Sequence, residues 1–331
     1  MPRRTPPLNG QVIVITGAAS GIGEATAREL HRRGAAVVLV DCDADKVAAV
    51  ARSIDEGVLA ITADVASLVE CEQMVAATLA CHGRIDIVWA NAGVASFGPL
   101  AHTDPSAWQR CIEVNVMGTF NTVRSALPAV MRQRGYVLVT ASVATFAHPP
   151  AMSAYAASKA ALEAMCNAWR IELDAHGVGV GIIHPSWVST RLVSEGALHP
   201  GFRRLRATMP GPLNAETPAP LAAERIADGI AARARRIWVP GWVRVLFWLR
   251  ALLHTRLAER QLLRAAPDIE RYCLEGLAAE GPLASSFGPR EHERAMRRLA
   301  CHAGGSEALT RVAASATAAS TAPAATPPAA R

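Results

Sequence analysis

The sequence predicts an α/β protein: a doubly wound parallel sheet with helices on both faces, in three layers. Three observations carry this expectation. Short β-branched runs alternate with helix-like segments from residue 12 to residue 183. The runs are apolar at consecutive positions rather than at every second one, as strands are when both sheet faces are covered. No segment repeats at a fixed period, which argues against a solenoid or propeller.

Each element follows from its own residues. Val12–Thr16 reads as the first buried strand, and a glycine-rich turn covers Gly17–Gly23. Glu24–Arg33 reads as a helix stopped by Gly34, and Ala35–Val40 as a second strand ending at Asp41. A helix over Asp45–Ser53 leads to a third strand, Val58–Thr62, which ends at Asp64. A helix from Leu68 to Cys81, a strand over Ile85–Ala90 and a long helix near Trp108–Met131 come next. Strand Tyr136–Thr140, a helix starting near Ser153 and strand Val178–Ile183 complete the alternation. Past Thr190 the pattern changes. Residues 191–219 are rich in Gly, Pro and Arg and read as a mobile insertion. A helix over Leu221–Ala234 and a last strand, Arg236–Val239, follow. Trp242 to about Arg264 reads as one long basic, aromatic helix, and the Ala/Ser/Thr/Pro tail from about Gly304 as disordered.

Composition narrows the function classes. The chain has 331 residues, 51% hydrophobic and 19% charged, which excludes a disordered protein. Its seven cysteines include no C-x-x-C pair, which points to a reduced, cytoplasmic chain and away from a disulfide or zinc framework. No metal site is expected. Arg3-Arg4 followed by Pro6-Pro7, before the short apolar run 12–15, does not read as a signal peptide. No uninterrupted apolar stretch is long enough to span a bilayer. Of the 34 basic residues only Lys46 and Lys159 are lysine, and a lysine can lose its proton where an arginine cannot. Residues 1–199 hold 15 basic and 17 acidic residues, whereas residues 200–300 hold 17 and 10, so the net charge of +6 belongs to the C-terminal third.

The chemistry starts at Thr16-Gly17-Ala18-Ala19-Ser20-Gly21-Ile22-Gly23, between a strand and a helix. A glycine turn there lets backbone N–H groups approach a pyrophosphate at the helix N-terminus. Glycines also make ordinary turns, so the motif alone is weak. Asp41 strengthens it. At the end of the second strand a carboxylate can accept hydrogen bonds from ribose hydroxyls and repels a 2′-phosphate, which favours NAD over NADP. The alternative is that Asp41 only caps the next turn.

At these residues the chain resembles the short-chain dehydrogenase/reductase family, in its main single-domain branch. The resemblance continues through Asp64-Val65, Asn91-Ala92-Gly93, Asn115, Ser142, Tyr155-x-x-x-Lys159 and His184-Pro185-Ser186-x-x-Ser189-Thr190, in family order over residues 9–240. The departure is Ser186, where glycine is usual. The resemblance implies a Rossmann-like catalytic domain over 9–240 with a substrate loop at about 190–219. It leaves a flexible start at 1–8, a basic helical extension at 241–303 and a tail at 304–331. It further implies adenine contacts from Asp64 and Val65, support of the cofactor pocket by Asn91, Ala92 and Gly93, and nicotinamide contacts from Pro185, Val188 and Thr190. Asn115 would hold a water that links Lys159 to solvent. A homodimer or homotetramer is expected, paired through the helices after strands four and five.

Tyr155 and Lys159, four apart, share one face of a helix. Reducing a ketone needs a proton delivered to oxygen, and the reverse needs it removed. A neighbouring ammonium favours the phenolate and brings tyrosine toward working pH. Ser142, at the end of a strand, can polarise the substrate oxygen as an oxyanion donor does. Taken singly, Tyr155 could be a core residue, Ser142 a helix cap and Asn115 a buried support.

The segments expected at the substrate are apolar, with Phe97, Phe146, Met152 and Trp187 as wall candidates. A neutral hydrophobic alcohol or ketone, sterol-like, retinoid-like or lipid-like, follows. Core packing is the other reading of the same residues. His148 lies near enough to touch substrate, though a lone loop histidine is more often solvated. In 242–264, Trp and Leu interleave with Arg, which fits peripheral contact with an anionic membrane, a cover over the cleft or a subunit contact. Nucleic acid is not expected. Two other functions stay open: a non-catalytic dinucleotide sensor on the same fold, and an NADP-dependent ketoreductase.

Overall fold

In the computed structural model, described over residues 8–209, 211–280 and 286–287, seven strands form one parallel sheet. The expectations for residues 1–7 and for the tail lie outside the described residues. The strands are β1 (Val12–Thr16), β2 (Ala36–Asp41), β3 (Leu59–Thr62), β4 (Ile87–Ala90), β6 (Tyr136–Thr140), β7 (Gly179–Pro185) and β8 (Arg236–Val239). Their order is β3-β2-β1-β4-β6-β7-β8. Central strands β1, β4 and β6 are buried at every position, as their unbroken apolar runs require. The order reverses between β1 and β4, which opens a crevice at the carboxyl ends of those strands, where open α/β sheets bind ligands.

The helices between the strands are α1 (Gly21–Arg32), α2 (Ala44–Ile54), α3 (Leu68–His82), α4 (Pro105–Ile112), α5 (Gly118–Arg132), α6 (Ser153–Glu172) and α10 (Ala219–Ala231). Local chemistry sets their ends. Asp43, Ser67 and Asp104 accept hydrogen bonds from first-turn N–H groups of α2, α3 and α4. Gly83 closes α3 in the left-handed conformation. One core layer lies under α3, α5 and α6, and a second under α1, α2 and α10. The expected long helix near Trp108–Met131 is α4 and α5 joined by a π-turn at Glu113–Met117, which contains Asn115. π-turns inside helices recur at functional sites.

The structure corrects three expectations beyond Thr190. Residues 191–219 are not an irregular insertion: they form α7 (Arg191–Gly196), α8 (Pro200–Ala207) and α9 (Gly211–Asn214). Pro200 sits in the first turn of α8, where its missing N–H costs nothing, so it starts a helix instead of breaking one. The basic segment is not one helix either. It is α11 (Val243–Trp248), a 3-10 stretch over Arg250–His254, and α12 (Arg256–Glu280). Thr255 ends the first part and accepts the Ala258 N–H at the start of the second, at 3.4 Å. Arg236–Val239 is also not the last strand: β9 (Ser286–Phe287) pairs antiparallel with β5 (Ala95–Ser96). No helix among the described residues is long and apolar enough to cross a membrane.

Candidate active site

The crevice is a cavity of 470 Å³ running from the glycine turn to the underside of α12. Its floor is built by the ends of β1 and β4. Gly17 stands at φ +65°, and a side chain there would strike the Ala92 backbone. A Cβ on Gly23 would collide with the Gly17 carbonyl, so only glycine lets the turn fold onto α1. Thr16 is buried rather than in the wall. Its Oγ1 accepts the N–H groups of Asn91 and Ala92 at 3.0 and 3.2 Å. Asn91 Nδ2 donates to the Thr16 and Gly17 carbonyls, and Asn91 Oδ1 accepts from Thr140 Oγ1 at 3.0 Å. Thr16 and Asn91 thus clamp the turn to β4.

The dinucleotide end of the cavity is lined by Gly17, Ser20, Gly21, Ile22, Asp41 and Val65. Ser20 precedes α1 without capping it, unlike the residues before α2, α3 and α4. The first-turn N–H groups of α1 therefore keep no side-chain acceptor and face a glycine-lined cradle, which suits a pyrophosphate. Asp41 is buried. Its Oδ2 accepts the Ala19 N–H and its Oδ1 the Asp43 N–H, each at 3.1 Å, which fixes the carboxylate beside the turn with lone pairs left for ribose hydroxyls. Through the Asp43 N–H, Asp41 also caps the turn that follows it, while Asp43 caps α2. Asp64 pairs with Arg110 at 3.0 Å, and both line the cavity near Val65. Gly93, Pro185, Val188 and Thr190 lie farther along the same wall, and Thr190 starts α7. The residues present fit an adenine dinucleotide.

Ser142, Tyr155 and Lys159 converge at the cavity centre. Ser142 follows β6. Its hydroxyl accepts the Ala144 N–H at 3.1 Å and pulls on the Tyr155 phenol. Lys159 lies one turn along α6, with Nζ 5.5 Å from the Tyr155 ring centre, and donates to the Thr140 carbonyl at 2.9 Å. Burial pushes the Tyr155 phenol up to about 12, against the opposing pull of the Ser142 hydroxyl. Burial likewise brings Lys159 down to about 8. Asn115 is fully buried on the π-turn. Its side chain bonds both the N–H and the carbonyl of Val94, and donates to Ser158 Oγ, all at 2.9 Å. It ties the loop after β4 to α6 and so sets the height of Tyr155 and Lys159.

Of the wall candidates, Met152 and Trp187 line the cavity, but Phe97 and Phe146 do not. Phe97 packs behind the wall against Phe202, and Phe146 packs below it against Phe247 and His184. The aromatic rings found their hydrophobic partners deeper in the core. Leu192 and Met209 of the expected substrate loop, and Trp242, Leu253 and Leu262 of the stretch read as a possible cleft cover, face the cavity, and so does Arg110, which the sequence did not single out. The spacing of Leu262, Ala265, Ile269 and Cys273 is the legible signal, since it marks one helical face, and in the structure that face packs over Phe97 and Phe202. His148 is at the rim, stacked on His254 with ring centres 4.8 Å apart.

The family model of the short chain dehydrogenases matches residues 11–199. A plant relative, 11-beta-hydroxysteroid dehydrogenase-like 4A of Arabidopsis thaliana, is 33% identical over 250 residues, covering 74% of this chain and 81% of its own. An uncharacterized NAD-dependent oxidoreductase of Mycobacterium tuberculosis is 35% identical over 227 residues, covering 61% of this chain and 82% of its own. Among solved structures, a short chain dehydrogenase/reductase from Burkholderia phymatum in complex with NAD superposes with a TM-score of 0.67 at 25% identity, over 76% of this chain and 95% of that one. A 3-ketoacyl-(acyl-carrier-protein) reductase from Brucella melitensis, complexed with NADH, gives 0.63 at 26% identity, over 70% and 96%. With its glycine turn, its seven-stranded sheet and its Ser-Tyr-Lys centre, this chain belongs to the short-chain dehydrogenase/reductase family of oxidoreductases.

Proposed function

We propose that the protein interconverts a hydrophobic secondary alcohol and its ketone with NAD(H). One observation carries the reading: Ser142, Tyr155 and Lys159 meet in a cavity whose far end holds Asp41 beside an uncapped helix. When bound, the nicotinamide supplies or accepts the hydride. The chain's own residues manage oxygen and proton. Ser142 donates a hydrogen bond to the substrate oxygen, and Tyr155 gives that oxygen its proton in reduction or takes it in oxidation. Lys159, held by the Thr140 carbonyl, stabilises the phenolate and keeps two N–H donors for the ribose. By family likeness, proton exchange between Lys159 and solvent runs past Asn115. Asp41 selects NAD over NADP by charge.

The substrate class follows from the wall. Met152, Trp187, Leu192, Met209, Leu253 and Leu262 offer apolar surface in the cavity that also holds Ser142, which suits a large neutral molecule, sterol-like or lipid-like. The plant relative's steroid name agrees with this class. Met117 at the end of the π-turn, Phe120 at the start of α5 and Ile171 near the end of α6 are exposed, as they would be where helices of two copies pair into a homo-oligomer. A purely sensing role gives no reason for a buried lysine beside Tyr155. The test is NADH absorbance over a panel of secondary alcohols from small to sterol-sized. Turnover that rises with apolar size is expected, and none across the panel overturns the reading.

A further inference from the structure

The segment after β8 has three faces, and the protein uses two of them. Val243 and Phe247 point down into a cluster with Phe146 and Trp238. Trp242, Leu246 and Leu253 line the cavity. The third face meets solvent: Trp248 is 76% exposed and Leu252 59%, with Val245 and Leu249 beside them. α12 follows in the chain and has two faces of its own. Its inner face, Ala265, Ile269 and Cys273, is buried with Phe202 and Leu205 of α8. Its outer face sets Leu257, 80% exposed, and Leu263 among Arg256, Arg260 and Arg264. Six of the fifteen large apolar side chains exposed among the described residues fall between 245 and 263, so the patch is a concentration and not ordinary scatter.

Charge decides what covers it. Between Trp242 and Pro267 the chain has five arginines and one acid, Glu259. Arg250 lies over the Phe247 ring and reaches Glu163. Arg244, Arg256, Arg260 and Arg264 take part in no ion pair among the described residues. A second copy laid face to face on this patch would set these arginines against each other. An anionic lipid surface would neutralise them and accept the Trp and Leu side chains at the same depth.

We propose that this face docks on an anionic bilayer, with Trp248, Leu249 and Leu252 entering the boundary between headgroups and acyl chains. The cavity, lined by the adjoining Trp242, Leu246 and Leu253, then opens toward the membrane and receives a lipid-dissolved alcohol or ketone. Only that last step rests on the substrate reading above.

Flotation of the full chain with phosphatidylcholine vesicles, with and without phosphatidylglycerol, tests the docking. The protein should rise with the anionic vesicles at low salt, less at high salt, and little with phosphatidylcholine alone. Changing Trp248→Asp with Leu252→Asp should remove flotation. Changing Arg256, Arg260 and Arg264 to Gln should cost roughly a hundredfold in partitioning, since each charge is worth about fivefold. None of these residues lines the cavity, so both variants should keep the thermal shift that NAD produces in the wild type, which shows that they fold. Failure of the wild type to float overturns the proposal. So does a wild-type dimer in light scattering that the Asp pair splits while flotation is absent, because the patch would then be a contact between copies. Absence of turnover across the whole alcohol panel would overturn the dehydrogenase reading and leave flotation untouched, so the two failures are separable.

Discussion

Tyr155 and Lys159 set opposite demands on pH. Burial holds the phenol near 12 and the ammonium near 8, so at neutral pH the phenol is protonated and the lysine charged. That state suits reduction, which needs a proton to give. Oxidation needs the phenolate, whose population rises with pH. Alcohol oxidation should therefore climb with pH up to about 8, above which Lys159 loses the charge that stabilises the phenolate, whereas ketone reduction should stay level up to the same point. Parallel profiles for the two directions would refute the assignment. Tyr155→Phe should reduce turnover by roughly 10²–10⁴-fold in both directions while NAD binding is kept. His184 presents a different case. It is fully buried, with neither ring nitrogen hydrogen-bonded, stacked on Trp238 at 4.9 Å. Burial first, then Arg236, brings its pKa down to about 3. An unfolded histidine binds its proton near 6.5, so below that pH the unfolded chain takes up a proton that the folded one refuses. The stability this contributes is complete above about 6.5 and is lost as pH falls toward 3, by about 1.4 kcal/mol per unit. His184→Phe should flatten the acid side of the stability curve relative to wild type in denaturant titrations from pH 7 to 4, and unchanged slopes would count against it.

Elements were legible where local chemistry alone sets them. Tyr136–Thr140 and the start of the helix at Ser153 stand where the residues place them, because β-branched runs and the period of a helix need no distant partner. Motif residues were legible for the same reason: Asp41, Ser142 and Lys159 sit at strand ends or one helical turn apart. What was hidden depends on tertiary contact. Phe97 and Phe146 look like pocket residues because they flank the catalytic motifs, but their burial partners come from α8 and α11, more than a hundred positions away. The basic, aromatic pattern ends at about Arg264, whereas the apolar stripe of α12 runs on past Pro267 through Ile269 and Cys273. That stripe yields a prediction. Ile269→Ala should cost about 2–5 kcal/mol in the packing of α12 on α8. The wall formed by Leu262 should loosen with it, raising KM for bulky substrates and leaving KM for NAD alone. Equal changes in both constants would show that α12 does not act as a substrate wall.

Across the whole molecule, one cavity joins parts with different tasks. Its dinucleotide end is made by β1, β2, β4 and α1, where glycines and a clamped Asn91 leave little room to move. Its substrate end is closed by α7, α8, α11 and α12, which follow the last motif and share no sequence signature with it. Such a division lets substrate choice change without disturbing the cofactor site. It also predicts that a dinucleotide stabilises the chain chiefly through its first half, and by an amount set by affinity alone. NAD at a hundred times its Kd should add about 2.7 kcal/mol, and a domain of this size gains roughly 2–4 °C in Tm per kcal/mol. NADP should give less at equal concentration. Its 2′-phosphate must approach the Asp41 carboxylate, which two backbone N–H groups hold in place and which cannot swing aside without orphaning them. Asp41→Ala removes the repulsion along with the ribose acceptor, so it should lower the NAD shift, raise the NADP shift and bring the two together. Equal shifts in the wild type would show that Asp41 does not choose the cofactor. A double variant with Trp248→Asp and Leu252→Asp should show wild-type shifts with both dinucleotides, since those side chains face away from the cavity.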